Sequence, residues 1–216
     1  MLNLKYYGAV VRGVEKVLRH PDYSGTYWDV ALLYLDEPLP ISNSIQPISL
    51  PLQSQPDPGS LTRVGITSQG WGYNEDGKLG EGLEKIDVNV RSKSECDFMY
   101  SNNLSRLDKL RVRRFLPDLV SSSLFCADNN LDRRIGTCNG DSGGPSVIRY
   151  SQSSWSPTET SPVNIYFREF VDGSRRFTLV GVIKGSLACS ASSTGTYFPD
   201  LYTFVAHEKV SIQDIL

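Results

Sequence analysis

A serine becomes a useful nucleophile only where its hydroxyl stands exposed on a tight turn with backbone N–H groups converging beside it. Residues Thr137 to Pro145 read TCNGDSGGP, and their types meet that need. Gly140, Gly143 and Gly144 permit backbone geometry that a Cβ would block, and they let the chain come close to a substrate carbonyl. The pattern assigns nucleophilic attack to Ser142 and oxyanion binding to the N–H groups of Gly140 and Ser142. Such a serine also needs a base to take its proton. The chain holds two histidines, His20 and His207.

Short apolar or alternating runs separated by turn residues must position this turn. Lys5–Val11, Val14–Leu18 and Val30–Leu35 read as strands, the last continuously apolar, as expected of a buried strand. Pro40–Ser60, rich in Pro, Ser and Gln, reads as a crossing between two half-domains. Further strands are expected at Arg63–Gly72, Leu83–Val90, Leu124–Ala127, Val163–Phe170, Arg176–Lys184 and Leu201–Val205, with a hairpin turn at Asp172-Gly173. Ser92-Lys93-Ser94-Glu95 is a capping box that starts a short helix carrying Cys96. Ser151–Pro162 reads as a mobile loop and His207–Leu216 as a short C-terminal helix. Many short strands and one terminal helix argue for an all-β barrel or sandwich. The 216 residues suffice for one large domain or two packed halves.

Composition narrows the partners. A net charge of −2 gives no global attraction to nucleic acid or anionic membrane. The basic run Arg106, Lys109, Arg111, Arg113 and Arg114 reads as a solvated loop face. No stretch of 18 apolar residues exists, and the N-terminal 20 residues are too interrupted by charge for a signal peptide. Cys96, Cys126, Cys138 and Cys189 form an even set without metal-ligand spacing. They imply two disulfides and an oxidising compartment, and no metal or cofactor. The sequon Asn103-Leu104-Ser105 points the same way. A secreted setting without a leader suggests that a segment upstream is missing.

The motif GDSGGP resembles the nucleophile motif of the trypsin-like (peptidase S1, chymotrypsin-fold) serine proteases. Other segments resemble the same family in the same order: HPDY (His20–Tyr23), WDVALLYL (Trp28–Leu35), QGWG (Gln69–Gly72), VGVIKGSLAC (Val180–Cys189) and FPDLYTFV (Phe198–Val205). The resemblance implies a double β-barrel with an incomplete first barrel and a short C-terminal helix. Residues 1–40 would be the remnant of the first barrel, 41–62 the crossing loop, and 63–216 the second barrel with its helix. It makes Asp29 the triad aspartate, pairs Cys96 with Cys126 and Cys138 with Cys189, and assigns Asp141 to an activation ion pair with a cleaved N-terminus. A third family disulfide would fall at Ile66 and Ile148, both apolar here.

The same resemblance shows what is unusual. In this family the histidine precedes the aspartate by roughly 45 residues, and Asp29 has 28 residues before it. The triad histidine is therefore expected in a segment outside this sequence, as is the activation site. His20 and His207 take structural roles. The pocket positions fall at Gly136, Thr137, Lys184, Gly185, Ser186 and Asp200. Gly136 leaves the pocket base uncharged, so the carboxylate of Asp200 in its wall would favour an Arg or Lys side chain. Lys184 stands where the family carries a serine that touches the triad aspartate, and an ion pair with Asp29 would compete for that carboxylate.

Two functions follow as expectations. One is a secreted serine endopeptidase acting on protein or peptide through an acyl-enzyme, with an activating protease as a further partner. The alternative is a catalytically inactive serine protease homologue acting as a binding or regulatory module. Esterase chemistry on another fold is disfavoured, because the motif lacks a nucleophile-elbow context.

Overall fold

A computed structural model describes residues 9–51, 58–74, 76–103, 123–129, 136–150, 176–185 and 198–205. Within these residues the fold is all-β and chymotrypsin-like. Six antiparallel strands close a barrel: β3 (Gly65–Gly70), β4 (Glu84–Val90), β5 (Leu124–Asp128), β8 (Asp200–Phe204), β7 (Arg176–Gly185) and β6 (Pro145–Tyr150), with β6 returning to β3. A separate two-stranded sheet joins β1 (Val14–Arg19) to β2 (Ala31–Leu35).

Alternation along the strands explains why β5 and β8 are buried throughout. Phe125 and Ala127 point into the barrel with Tyr202 and Phe204. The Phe125 ring stacks on Tyr202 at 5.1 Å and meets Phe204 edge-on at 6.2 Å. The opposite faces of these strands, through Cys126 and Leu201, pack on Cys96 and Tyr100 of helix α1 (Lys93–Asn103). The Cys96–Cys126 disulfide, with Cα atoms 6.2 Å apart, fixes that layer. The helix starts as its sequence requires. Ser92 Oγ accepts the Glu95 N–H at 3.3 Å, and the Glu95 carboxylate accepts the Ser92 N–H at 2.8 Å. Those hydrogen bonds hold the Glu95 carboxyl below the ordinary carboxylate range.

Ile66 and Ile148, each one residue beyond the paired Thr67 and Val147, are both buried in the same core cluster.

Two expectations need correction. Residues 9–11 are not strand, and β1 begins only at Val14. The run VALLYL is not buried: Leu33 is 58% exposed and Leu35 38%. The reason is that among the described residues β2 pairs with β1 alone, which leaves Val14, Val17, Leu33 and Leu35 on an open face. Strand β6 was not anticipated, because its first residues were absorbed in the glycine-rich motif. Val163–Phe170, the Ser151–Pro162 loop and the terminal helix lie outside the described residues. Among the described residues no helix is long and apolar enough to cross a membrane.

Candidate active site

The turn before β6 is laced to β7 by its own backbone. Gly143 donates its N–H to the Ile183 carbonyl at 2.8 Å, and Ile183 donates to Gly144 at 2.9 Å. Within the turn, Asp141 donates to Cys138 at 3.1 Å and Gly144 to Asp141 at 2.9 Å. Gly140 sits at φ +96°, where a side chain would be strained, and a Cβ there would stand 3.1 Å from the Gly72 Cα. Ser142 is exposed at the tip. Its Oγ–H donates to the Lys184 carbonyl at 3.1 Å. Among the described residues the N–H groups of Gly140 and Ser142 donate to no protein acceptor.

The side chain of Asp141 turns back under this tip. Its Oδ1 accepts the Gly72 N–H at 2.7 Å and its Oδ2 the Cys138 N–H at 2.9 Å. The glycine in QGWG is needed for this approach, since a Cβ at Gly72 would lie 2.6 Å from the Asp141 carboxyl carbon. The preceding amide, that of Thr137, donates to Asp200 Oδ2 at 2.8 Å. Two consecutive amides of the nucleophile loop are thus held by two carboxylates.

Asp200 opens β8 and is 3% exposed. Tyr202 Oη also donates to its Oδ2 at 3.4 Å. Ser68 Oγ donates to Tyr202 Oη at 3.2 Å and pairs with Ser146 Oγ at 2.8 Å, so a buried polar chain runs from Asp200 into the barrel. Burial pushes the Asp200 carboxyl up to about 7, with the Thr137 amide pulling the other way. Among the described residues Thr137 Oγ1 beside it is buried without a hydrogen bond of good geometry, although it too lowers the Asp200 carboxyl. Tyr202 was not among the expected site residues, although its position two residues after Asp200 on one strand puts both side chains on one face.

Asp29 follows Trp28, which takes φ +60°. The Trp28 ring stacks on the buried His20 at 4.8 Å, and His20 Nδ1 accepts the Asp22 N–H at 3.1 Å. His20 is thus built into the base of the hairpin, and the Ser142 hydroxyl points at a carbonyl. The Asp29 carbonyl accepts Thr203 Oγ1 at 3.2 Å, and its carboxylate lies 2.5 Å from Lys184 Nζ. Lys184 therefore touches both halves of the site: its carbonyl meets Ser142, and its ammonium meets Asp29. Gly185, at φ +117°, continues β7 past Ser142, and Gly136 precedes Thr137 at the loop's start. Cys138 is disulfide-bonded. Its expected partner Cys189, with Ser186 and His207, lies outside the described residues.

A glycine-rich serine turn on a closed six-stranded barrel, joined through Lys184 to an aspartate that precedes a separate sheet, fits a trypsin-like serine protease domain. A sequence profile of the Trypsin family matches residues 3–207, and the chain belongs to that family. It is 30% identical over 196 residues to transmembrane protease serine 9 of Rattus norvegicus, covering 89% of this chain and 14% of the relative. It is 30% identical over 154 residues to trypsin zeta of Drosophila melanogaster, covering 68% of this chain and 50% of the relative. A third match, at 30% over 144 residues, is the suppressor of tumorigenicity 14 protein homolog of Bos taurus, covering 64% of this chain and 14% of the relative. The chain thus spans half or less of the length of each of these relatives.

Proposed function

We propose that this chain is the nucleophile-bearing part of a secreted serine endopeptidase, completed by a segment outside this sequence that carries the histidine. Ser142 Oγ would attack the peptide carbonyl while the base takes its proton. The C–N bond then breaks, the leaving amine receives that proton, and water releases the acyl group. The observation that carries the reading is the open pair of amides at Gly140 and Ser142 beside an exposed serine, in a loop anchored by Asp141 and Asp200. Thr137 and Asp200 would line the substrate pocket with Gly136 and Ser186, and β7 at Lys184 and Gly185 would run beside the substrate backbone. The Cys138–Cys189 disulfide would staple the loop to the pocket wall. The open face of β1 and β2 supports the missing-segment part, because four apolar side chains there have the character of a core. Sequencing the transcript upstream of Met1 tests it. An in-frame segment with a histidine roughly 45 residues before Asp29 is expected, and an untranslated upstream region would sink the proposal.

The Lys184–Asp29 ion pair favours a second reading, an inactive homologue that binds peptides or proteins. A carboxylate already neutralised by an ammonium orients an imidazole poorly. In that case Lys184 serves to tie the β1–β2 sheet to the barrel. Lys184→Ala should then raise amide exchange in Val14–Arg19 and Ala31–Leu35 by about fivefold, in line with the roughly 1 kcal/mol of a half-exposed pair. Unchanged protection would mean that the pair does not dock the sheet.

A further inference from the structure

The sequence holds a single Asn-Gly pair, Asn139-Gly140, and it lies in the turn that carries Ser142. An asparagine loses its amide when the next backbone nitrogen attacks its side-chain carbonyl, an intramolecular step that needs that nitrogen free and unobstructed. Glycine leaves it unobstructed, having no Cβ. Asn139 and Gly140 are both exposed. Among the described residues no hydrogen bond holds the Asn139 side chain, and the Gly140 N–H has no protein acceptor. Other sites of the same kind are engaged. Ser44, after the exposed Asn43, donates to Ser42 Oγ at 3.3 Å, and Val90, after Asn89, donates to the Val64 carbonyl at 3.0 Å. Gly77, after Asp76, donates to the Asn74 carbonyl at 3.0 Å. The turn also activates the Gly140 amide. Tyr73 donates its N–H to the Asn139 carbonyl at 2.9 Å, and a donor on that oxygen stabilises negative charge across the same peptide unit. The Gly140 nitrogen therefore gives up its proton more readily.

We propose that Asn139 is a site of spontaneous deamidation that remakes the serine turn. The deprotonated Gly140 nitrogen attacks Asn139 Cγ, the bond from Cγ to the side-chain nitrogen breaks, and ammonia leaves with the proton, closing a succinimide. Water then opens the ring. Cleavage between Cγ and the Gly140 nitrogen gives aspartate. Cleavage between that nitrogen and the main-chain carbonyl carbon gives isoaspartate, whose backbone runs through Cβ and Cγ and is one carbon longer. The turn has no slack for that carbon, since Asp141 donates its N–H to the Cys138 carbonyl at 3.1 Å and accepts the Gly72 N–H on Oδ1 at 2.7 Å. Either product also sets a new carboxylate beside the open amides of Gly140 and Ser142. That consequence for an oxyanion rests on the function proposed above, whereas the chemistry at Asn139 does not.

The test incubates the purified chain at pH 8 and at pH 6 and follows each asparagine by peptide mapping and mass spectrometry. Asn139 should convert to acid at least about tenfold faster than Asn43 or Asn89, whose following amides are engaged, and more slowly at pH 6. Asn139→Gln, an exposed change that requires a larger ring, should not convert over the same period. In the isoaspartate fraction the Gly72 and Asp141 amides should exchange hydrogen about tenfold faster than in fresh protein. Asn139→Asp, which adds the charge without the extra carbon, should keep them protected. Conversion of Asn139 no faster than of Asn43 overturns the proposal. So does an isoaspartate form in which Gly72 and Asp141 stay protected, or an Asn139→Asp variant that loses their protection equally. None of these readouts uses catalysis by Ser142, so their failure leaves the proposed function standing.

Discussion

Incubated with a fluorophosphonate at neutral pH, this chain should leave Ser142 essentially unmodified. It should hydrolyse peptides on the order of 10⁶-fold more slowly than a complete triad does. The hydroxyl proton of Ser142 is directed at the Lys184 carbonyl, which cannot accept it in a reaction. The ammonium of Lys184 has no lone pair to offer while it faces Asp29. His20 is buried in a stack with Trp28 and its Nδ1 is occupied by the Asp22 amide. Among the described residues what remains is the pair of open amides, and oxyanion binding alone accounts for roughly 10³–10⁴-fold over water in this class of enzyme. Mass spectrometry of the labelled, digested protein reads the outcome at Ser142, with Ser142→Ala as the blank. Rapid stoichiometric labelling would mean that a base is present after all. Loss of that labelling in His20→Ala would identify it as His20.

The contrast between Ser142 and its base reflects what a sequence can carry. The tight turn at Thr137–Pro145 was legible because its determinants are local: the glycines, the serine and the aspartate are consecutive in sequence. The capping box was legible for the same reason, since Ser92 and Glu95 satisfy each other's backbone groups within one turn. VALLYL misled, because a continuous apolar run records what a strand is suited to pack against. Whether it does so depends on partners far away in the chain, and among the described residues β2 has one. The Lys184–Asp29 contact spans 155 residues and was reached only through the family resemblance. The polar chain from Ser146 through Ser68 and Tyr202 to Asp200 escaped altogether, since its four members come from three strands and no spacing links them.

Asp200 gives the prediction that reaches furthest into both stability and function. Its carboxyl titrates at about 7 in the folded chain against 3.8 for the free side chain. Below pH 4 both states carry the proton and the group contributes nothing to the pH dependence. From there to pH 7 the unfolded chain has lost the proton that the folded chain keeps. Stability should fall as pH rises through this window, by about 4 kcal/mol in all by pH 8. Other carboxylates act in the opposite sense at low pH, Glu95 among them, so the measurement is a difference. Urea unfolding of the chain and of Asp200→Asn, from pH 4 to pH 8, isolates the single group. Asn keeps the acceptor for the Thr137 amide and removes the titration, so the variant should gain on the parent steadily above pH 5. The same carboxylate should reward a cation placed beside it: acetyl-arginine amide should stabilise the parent more at pH 8 than at pH 5, and Asp200→Asn at neither. A flat difference curve would mean that Asp200 ionises as freely folded as unfolded. A parent that gains nothing from the arginine ligand at pH 8 would mean that its carboxylate faces the barrel's polar chain and not the pocket.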